Sequence, residues 1–327
     1  MARVVRTDRE LELPGVDAAL RAAGHALVLL PDGVTEDQLL AELRDADLVL
    51  TCYAAITARV IDAARRLKGI VKYGVGIDAI NIAAAHERGI PVANVPEYAE
   101  QTVAEGAFAL LIALAKKLKP IQRAMDRNGW IWPQREWLAS DLAGKTVGVV
   151  GLGRIGSSFA RMAAAFRMRV LAFDPYVKNT VSDLRAMLAE SDFVSIHCVL
   201  NEETRHLIGE ATLRCMKPTA YLINVSRGAI VDEMALLRAL QERRIAGAAL
   251  DVFSSEPLAR SGHPLSALYA MDSVILSPHL TFYTREAMVR LEAETLERCL
   301  EVLEGRPLTV KSRDPRLRAQ TRGVRFV

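Results

Sequence analysis

The sequence predicts an α/β protein built from two parallel-sheet domains, and three observations carry this. The chain has 327 residues, more than one hydrophobic core commonly supports. Short apolar runs alternate with helical patterns along nearly its whole length, the signature of parallel strands with helices on their faces. A glycine turn, Gly151-Leu152-Gly153-Arg154-Ile155-Gly156, follows one such strand and opens a helix, which is the context of a doubly wound nucleotide fold.

The elements follow in order. Strands are expected at 3–5, 26–30, 48–51, 69–72 and 92–94, with helical stretches at 16–23, 36–43, 58–67 and 82–88 between them. A long helix is expected over 102–118. Its apolar residues (Val103, Ala107, Phe108, Leu110, Leu111, Ile112, Leu114, Leu118) run nearly all the way round, so it must be buried in a core or between subunits. A second series starts at Lys145, with strands at 146–150, 169–173, 193–197, 220–224, 247–250 and 274–276 and a helix at 155–165. A closing helix is expected over 285–303. There is no internal repeat and no low-complexity linker.

Composition excludes several classes. Hydrophobic residues make up 51% and charged residues 25%, a globular balance. The net charge of +3 is too small to mark a nucleic-acid surface. The local basic excess over 311–325 reads as a solvated tail. The four cysteines, Cys52, Cys198, Cys215 and Cys299, form no CxxC pair and lie near no histidine at metal-ligand spacing, so no metal is expected. Unpaired cysteines fit a reduced, cytoplasmic protein. The N-terminus has no apolar signal core. The most apolar stretch, 103–118, contains Glu105, Lys116 and Lys117 and is too short to span a bilayer.

The glycine turn implies a dinucleotide. Gly151 permits a tight turn, Gly153 lets a pyrophosphate approach the backbone, and Gly156 lets helix and strand pack closely. Asp174 stands at the end of the next strand, 18 residues after Gly156. A carboxylate there accepts hydrogen bonds from ribose hydroxyls and repels a 2′-phosphate. Pro175 and Tyr176 add no cation, although Lys178 is close, so NADH is preferred over NADPH. The plainer alternative is a glycine-rich turn with a helix-capping Asp.

Three downstream segments each end an expected strand: NVSRGAIVDEMAL around Arg227, ALDVFSSEP around Asp251 and Glu256, and SPHL around His279. Ligands of open α/β sheets bind beyond the carboxyl ends of strands. The set suits reduction of a 2-keto acid. An arginine fork binds a carboxylate at two points. A histidine delivers a proton, and a neighbouring carboxylate holds its ring. A nicotinamide supplies the hydride. Taken singly, each segment has a plainer reading as a turn, a loop or a surface histidine; their order downstream of the glycine turn favours the joint one. His86, His197, His206 and His263 lack such company and read as structural or exposed.

The motifs KYGVGIDAIN, NVPEYAEQTVAEGAFALL, GLGRIG, NVSRGAIVDE, ALDVFSSEP and SPHL occur in this order, and the chain from about Leu48 to Leu303 resembles the D-isomer-specific 2-hydroxyacid dehydrogenases. The resemblance implies a role for each matching position. Arg227 matches the substrate-binding arginine, Glu256 the partner of the catalytic histidine, and His279 that histidine. Asp251 matches the residue on the nicotinamide carboxamide. Arg154 and Ile155 match turn residues on the pyrophosphate, and Cys198 and Val225 line the cofactor. Gly74, Val75 and Gly76 match a loop whose N–H groups hold the substrate carboxylate. Lys72, before that loop, stands where many relatives carry arginine; it keeps the charge and loses the fork. Val199 replaces a common proline. Leu280-Thr281-Phe282-Tyr283 replaces small residues after the histidine, which either reshapes the pocket or packs into a hinge.

The resemblance also implies an architecture: a Rossmann NAD-binding domain (96–283) inserted into a flavodoxin-like substrate domain (1–95 and 284–327), with hinges near 94–98 and 280–285. Closure would bring the loop at Gly74 onto a substrate held by Arg227. The long apolar helix and the cluster of Trp130, Trp132 and Trp137 are expected at a homodimer interface, and in some relatives a tryptophan from this region reaches the partner's active site. The chain stops soon after its closing helix, so no regulatory domain is expected. The implied activity is hydride transfer between NAD(H) and a small 2-keto or D-2-hydroxy acid such as 3-phosphoglycerate, hydroxypyruvate or glyoxylate. The alternatives are a phosphite dehydrogenase-like enzyme and an NAD-sensing corepressor. Formate dehydrogenase is disfavoured, because it places glutamine where this chain has Glu256.

Overall fold

The computed structural model describes every residue except Asp32 and Asn179. In chain order the elements are β1 (Arg3–Arg6), α1 (Pro14–Ala22), β2 (Ala26–Leu29), α2 (Glu36–Leu43), β3 (Leu48–Thr51), α3 (Ala58–Ala63), β4 (Gly69–Lys72), α4 (Ile82–Glu87), β5 (Val92–Asn94), α5 (Glu100–Ala115), α6 (Leu118–Asn128), β6 (Thr146–Val150), α7 (Arg154–Ala165), β7 (Arg169–Phe173), α8 (Leu184–Glu190), β8 (Phe193–Ile196), α9 (Glu210–Leu213), β9 (Tyr221–Asn224), α10 (Glu233–Gln241), β10 (Gly247–Leu250), β11 (Val274–Leu276), α11 (Arg285–Leu303), β12 (Leu308–Val310), α12 (Pro315–Arg318) and β13 (Val324–Phe326). They form two compact units, one of Met1–Ala99 with Thr284–Val327 and one of Glu100–Tyr283.

The first unit holds a five-stranded sheet in the order β2-β1-β3-β4-β5, parallel throughout. This is a doubly wound order. Strands β3, β4 and β5 are buried along their whole length, which is why they read as continuous apolar runs rather than alternating ones. Helix α1 packs on α11, α2 on α3, and α3 on α4. Thr35 closes α2 in a capping box with Gln38, and the Thr284 hydroxyl caps α11; each satisfies N–H groups that a helix end leaves open.

The basic tail does not float in solvent as its composition suggested. β12 pairs with β13, and the Gln320 amide accepts from Val92 N–H at 2.7 Å and donates to Val92 C=O at 2.9 Å. Gln320 thus supplies the partners that edge strand β5 would otherwise lack. Two of the tail's cations are also paired: Lys311 lies 2.8 Å from Glu294 and Arg316 lies 2.7 Å from Asp314. Beneath it, Arg298 and Glu301 of α11 form a buried pair at 2.9 Å, each side chain 1% exposed. Glu301 also accepts from Thr309 N–H and hydroxyl.

The second unit holds a six-stranded sheet in the order β11-β10-β9-β8-β6-β7, again parallel. The order reverses at β6, which has β7 on one side and β8 on the other. The core on one face is formed by Val194, Ile196, Leu222, Ala248 and Leu250 against Met187, Leu188, Leu236 and Leu240 of α8 and α10. α5 packs on α7 and touches β9 and β10, and the Phe108 ring meets Phe159 and Phe166 edge to face.

One expectation needs correction here. The single helix over 102–118 is two helices. Lys117 takes a left-handed conformation, φ 52°, which ends α5, and α6 begins at Leu118. Apolarity marked burial but not this break, which lies in polar residues. α5 buries much of its apolar surface inside its own unit, with Ala104, Ala107, Leu111 and Ala115 almost fully covered. The tryptophans after α6 differ: Trp130 and Trp132 are 73% and 71% exposed and meet edge to face.

Candidate active site

The glycine turn follows β6 at the point where the strand order reverses. Gly151 sits at φ +90°, and a Cβ there would come within 2.5 Å of Cys198 N. Only glycine lets the β6 and β8 ends meet so closely. Gly153, the N-cap of α7, has no side-chain cap, and a Cβ on it would meet nothing within 4 Å. An uncapped helix N-terminus facing open space is an anion cradle. Asp174, at the end of β7, accepts from Leu152 N–H at 2.8 Å and from Tyr176 N–H at 2.9 Å. Each carboxylate oxygen keeps a second acceptor site. Turn, open cradle and adjacent carboxylate fit a dinucleotide.

Around this turn the sequence-expected positions fall as follows. Arg154 and Ile155 open α7, and Arg154 Nε lies 4.0 Å from Glu100. Cys198 follows β8; burial pushes its thiol up to about 12, so it is not a thiolate nucleophile. Val225 is buried at the end of β9. His197 lies beneath the turn, its Nε2 2.9 Å from Ser195 Oγ and its ring 4.9 Å from Phe159. Burial pushes its imidazole down to about 3, so it is neutral and structural.

Arg227, Glu256 and His279 follow β9, β10 and β11, which are neighbours in the sheet. Chain segments 29 and 23 residues apart in sequence thereby end side by side. His279 Nδ1 lies 2.8 Å from Glu256 Oε2. The other Glu256 oxygen accepts from Phe253 N–H at 2.8 Å. Burial disfavours the charged carboxylate. The hydrogen bond and charge of His279, the Phe253 N–H and the Arg227 charge outweigh this and hold Glu256 below its ordinary value. With a carboxylate on Nδ1, the Nδ1–H tautomer is the one that fits, and proton exchange falls to Nε2. The Phe282 ring meets the His279 ring edge to face at 6.1 Å, so the bulk after His279 packs directly on it.

Several supporting residues escaped the sequence reading. Asn224 donates to Arg227 C=O at 2.9 Å and accepts from Ser226 N–H at 3.1 Å, which shapes the turn that presents Arg227. A Cβ on Gly228 would lie 2.1 Å from Phe253 C and Ser254 N, so this glycine lets the Arg227 turn rest on the backbone that leads to Glu256. Glu233 accepts from Ser254 N–H at 2.8 Å and ties the same segments. Asp251 was expected on the carboxamide. It is 0% exposed and accepts from Leu280 N–H at 3.0 Å, Thr281 N–H at 3.1 Å and the Thr281 hydroxyl at 2.6 Å. These bonds hold the turn that carries His279, and the carboxamide role stays an expectation of the resemblance. An Asn at a strand end was the available signal for Asn224; nothing local pointed to Glu233 or to the Thr281 hydroxyl as a partner of Asp251.

Lys72 and the 74–76 loop belong to the first unit. Lys72 is 6% exposed, and its ammonium donates to Cys52 C=O at 2.6 Å and Cys52 Sγ at 3.1 Å. Asn94 donates to Val75 C=O at 2.6 Å, which fixes the loop, and Gly74 at φ +155° has its missing Cβ position 2.9 Å from the Lys72 ammonium. Among the described residues, no cluster of three or more His, Cys, Asp or Glu is placed to hold a metal ion, and no helix is long and apolar enough to cross a membrane.

The chain is similar to known proteins. Residues 108–281 fit the family described as "D-isomer specific 2-hydroxyacid dehydrogenase, NAD binding domain". The chain is 40% identical over 272 residues to a glyoxylate reductase of Korarchaeum cryptofilum, covering 79% of this chain and 81% of that one. It is 36% identical over 316 residues to a D-3-phosphoglycerate dehydrogenase of Synechocystis sp., covering 94% of this chain; it spans 55% of that relative's length. A crystal structure of D-lactate dehydrogenase from Aquifex aeolicus, complexed with NAD and lactic acid, superposes with a TM-score of 0.83 at 32% identity, covering 92% of this chain and 96% of that one.

Proposed function

The chain belongs to the D-isomer-specific 2-hydroxyacid dehydrogenase family, and from that premise we propose that it interconverts a small 2-keto acid and its D-2-hydroxy acid with Arg227, Glu256 and His279 as its working residues. The observation that carries this is the His279–Glu256 pair at 2.8 Å, placed on the same sheet edge as Arg227 and the glycine turn.

When bound, a nicotinamide dinucleotide supplies or accepts the hydride. The chain's own residues do the rest. The guanidinium of Arg227 binds the substrate carboxylate and the polarised carbonyl oxygen. In reduction, His279 gives its Nε2 proton to that oxygen as the carbonyl carbon gains hydride; in oxidation the proton returns to Nε2. Glu256 keeps the ring oriented and offsets the positive charge that His279 carries before transfer. Asp251 keeps the His279 turn in place. Arg154, Ile155, Cys198 and Val225 line the cofactor, and Lys72 with Gly74, Val75 and Gly76 is assigned to the substrate carboxylate. Asp174, with acceptor sites beside the glycine turn, favours the free ribose of NADH over the 2′-phosphate of NADPH.

A second copy of the chain is the partner we assign. The support is Trp130, Trp132 and Leu138, neighbours in sequence and each at least 70% exposed, since large exposed apolar groups commonly mark an interface. A concentration-independent monomer in sedimentation would refute that assignment.

The activity is tested by NADH oxidation with glyoxylate, hydroxypyruvate and phosphohydroxypyruvate, and by NAD reduction with phosphite. Turnover of a 2-keto acid is expected, with loss of about 10²–10⁴-fold in His279→Ala while NADH still binds. Retention of most activity in His279→Ala or Arg227→Ala would defeat the mechanism. Turnover of phosphite alone would redirect the substrate, and binding of NADH without any turnover would favour a sensor.

A further inference from the structure

His279 sits at φ +57°. That conformation is uncommon for residues other than glycine, and a turn that adopts it needs partners to hold it. The surroundings here converge on one buried carboxylate. His279 N–H donates to Asp251 C=O at 2.7 Å. Leu280 N–H donates to Asp251 Oδ1, and Thr281 N–H to Oδ2. Any residues at 280 and 281 other than proline would supply those last two donors. The remaining one, from the Thr281 hydroxyl to Oδ2 at 2.6 Å, needs a hydroxyl side chain.

Thr281 is also confined on its other side. A Cβ on Gly106 of α5 would come 2.8 Å from Thr281 Cβ and 2.9 Å from its Cγ2. The bare backbone of Gly106 is the recess into which Thr281 fits. One side chain therefore reaches from the sheet-end carboxylate Asp251 to the helix that covers the sheet. It does so two residues after the histidine whose ring must stay on Glu256.

We propose that Thr281 is a positioning residue for proton transfer: its hydroxyl bond to Asp251 and its seat on Gly106 lock the turn that holds His279 against Glu256. This rests on the roles given above to His279 and Glu256. The effect assigned to Thr281 is transmitted through the backbone of the turn. Sub-ångström looseness in a reacting group is enough to slow a reaction without weakening binding.

The test uses the full chain with Thr281→Val, which removes the donor at nearly equal volume, and Thr281→Ser, which keeps it. The first readout is the downfield proton resonance of the His279 Nδ1–H···Glu256 hydrogen bond. The second is the division of any kinetic loss between kcat and KM, with NADH affinity followed by fluorescence. Thr281→Val is expected to broaden or abolish the resonance. It should lower kcat about tenfold or more, with KM and NADH affinity within about twofold. Thr281→Ser is expected to restore both. Parent-like kcat and resonance in Thr281→Val, or an equal loss in Thr281→Ser, would overturn the proposal. If Thr281→Val does not fold, Gly106→Ala fills the recess and leaves every hydrogen-bonding group in place. It should reproduce the kinetic and spectroscopic loss, and an unchanged kcat and resonance there would also overturn the proposal. If the parent turns over no 2-keto acid, the reading of the activity fails, while the resonance still decides whether the clasp holds His279.

Discussion

His197 should make the second unit acid-sensitive at a pH well above the ordinary carboxylate range. Its Nδ1 is enclosed without a hydrogen-bond partner, its Nε2 is satisfied by Ser195, and burial lowers its imidazole from 6.5 to about 3. The folded chain therefore stays unprotonated there while the unfolded chain takes up a proton below pH 6.5. Whenever the unfolded state binds more protons, stability falls as the pH falls. The contribution is whole above pH 6.5 and is lost progressively down to about pH 3. Between pH 6.5 and about pH 5 it amounts to about 2 kcal/mol, at about 1.4 kcal/mol per pH unit. That value holds for any folded value well below pH 5. His197→Phe keeps a ring against Phe159 and cannot titrate. It loses the Ser195 hydrogen bond, but that cost is the same at both pH values. Urea-dependent amide protection in β6 and β8 at about pH 7.5 and about pH 5 should therefore show parent and variant diverging, with the variant losing about 2 kcal/mol less. An equal loss in both would refute the assignment of acid sensitivity to this ring.

Further outcomes follow from other contacts. Gly228→Ala places a Cβ 2.1 Å from two backbone atoms of the segment that leads to Glu256; overpacking of this kind costs about 1–3 kcal/mol, and displacing Arg227 by about 1 Å should lower kcat/KM about 10²-fold, measurable by thermal unfolding and steady-state kinetics. Asp174→Ala removes a charge from the ribose site. Two like charges 4 Å apart cost about 1 to 4 kcal/mol between bulk water and a protein surface, so the NADPH-to-NADH ratio of kcat/KM should rise by at least about fivefold. Arg298→Ala leaves Glu301 buried without its ion-pair partner, which should destabilise the first unit by about 3–5 kcal/mol in denaturant unfolding followed by amide protection in β5 and β12.

Much of the architecture was legible because its signals are local. β3, β4, β5, β6, β7, β10 and β11 occupy the positions their apolar runs gave; β3, β4, β5, β6 and β10 are buried along their whole length, which leaves a continuous run. The glycine turn was legible for the same reason: strand, turn and helix are contiguous. α8, α9 and α10 were not among the expected helices. The α5–α6 break escaped because a left-handed Lys117 leaves no compositional mark. The tail was misjudged because its charges suggested solvent, whereas two of its partners, Glu294 and the Val92 backbone, lie elsewhere in the chain.

The sequence by itself determined two α/β units, a dinucleotide turn, and three chemically suited residues at the ends of successive strands. It did so through patterns a few residues long and through the order of motifs. Tertiary structure decided what those residues do to one another. Only the pairing of β9, β10 and β11 brings the Arg227, Glu256 and His279 segments together, and only folding shows Asp251 turned away from solvent to hold Leu280 and Thr281. These are contacts between segments tens of residues apart, and their distances depend on sheet register and on which side chains are excluded from water. No pattern within one segment encodes them.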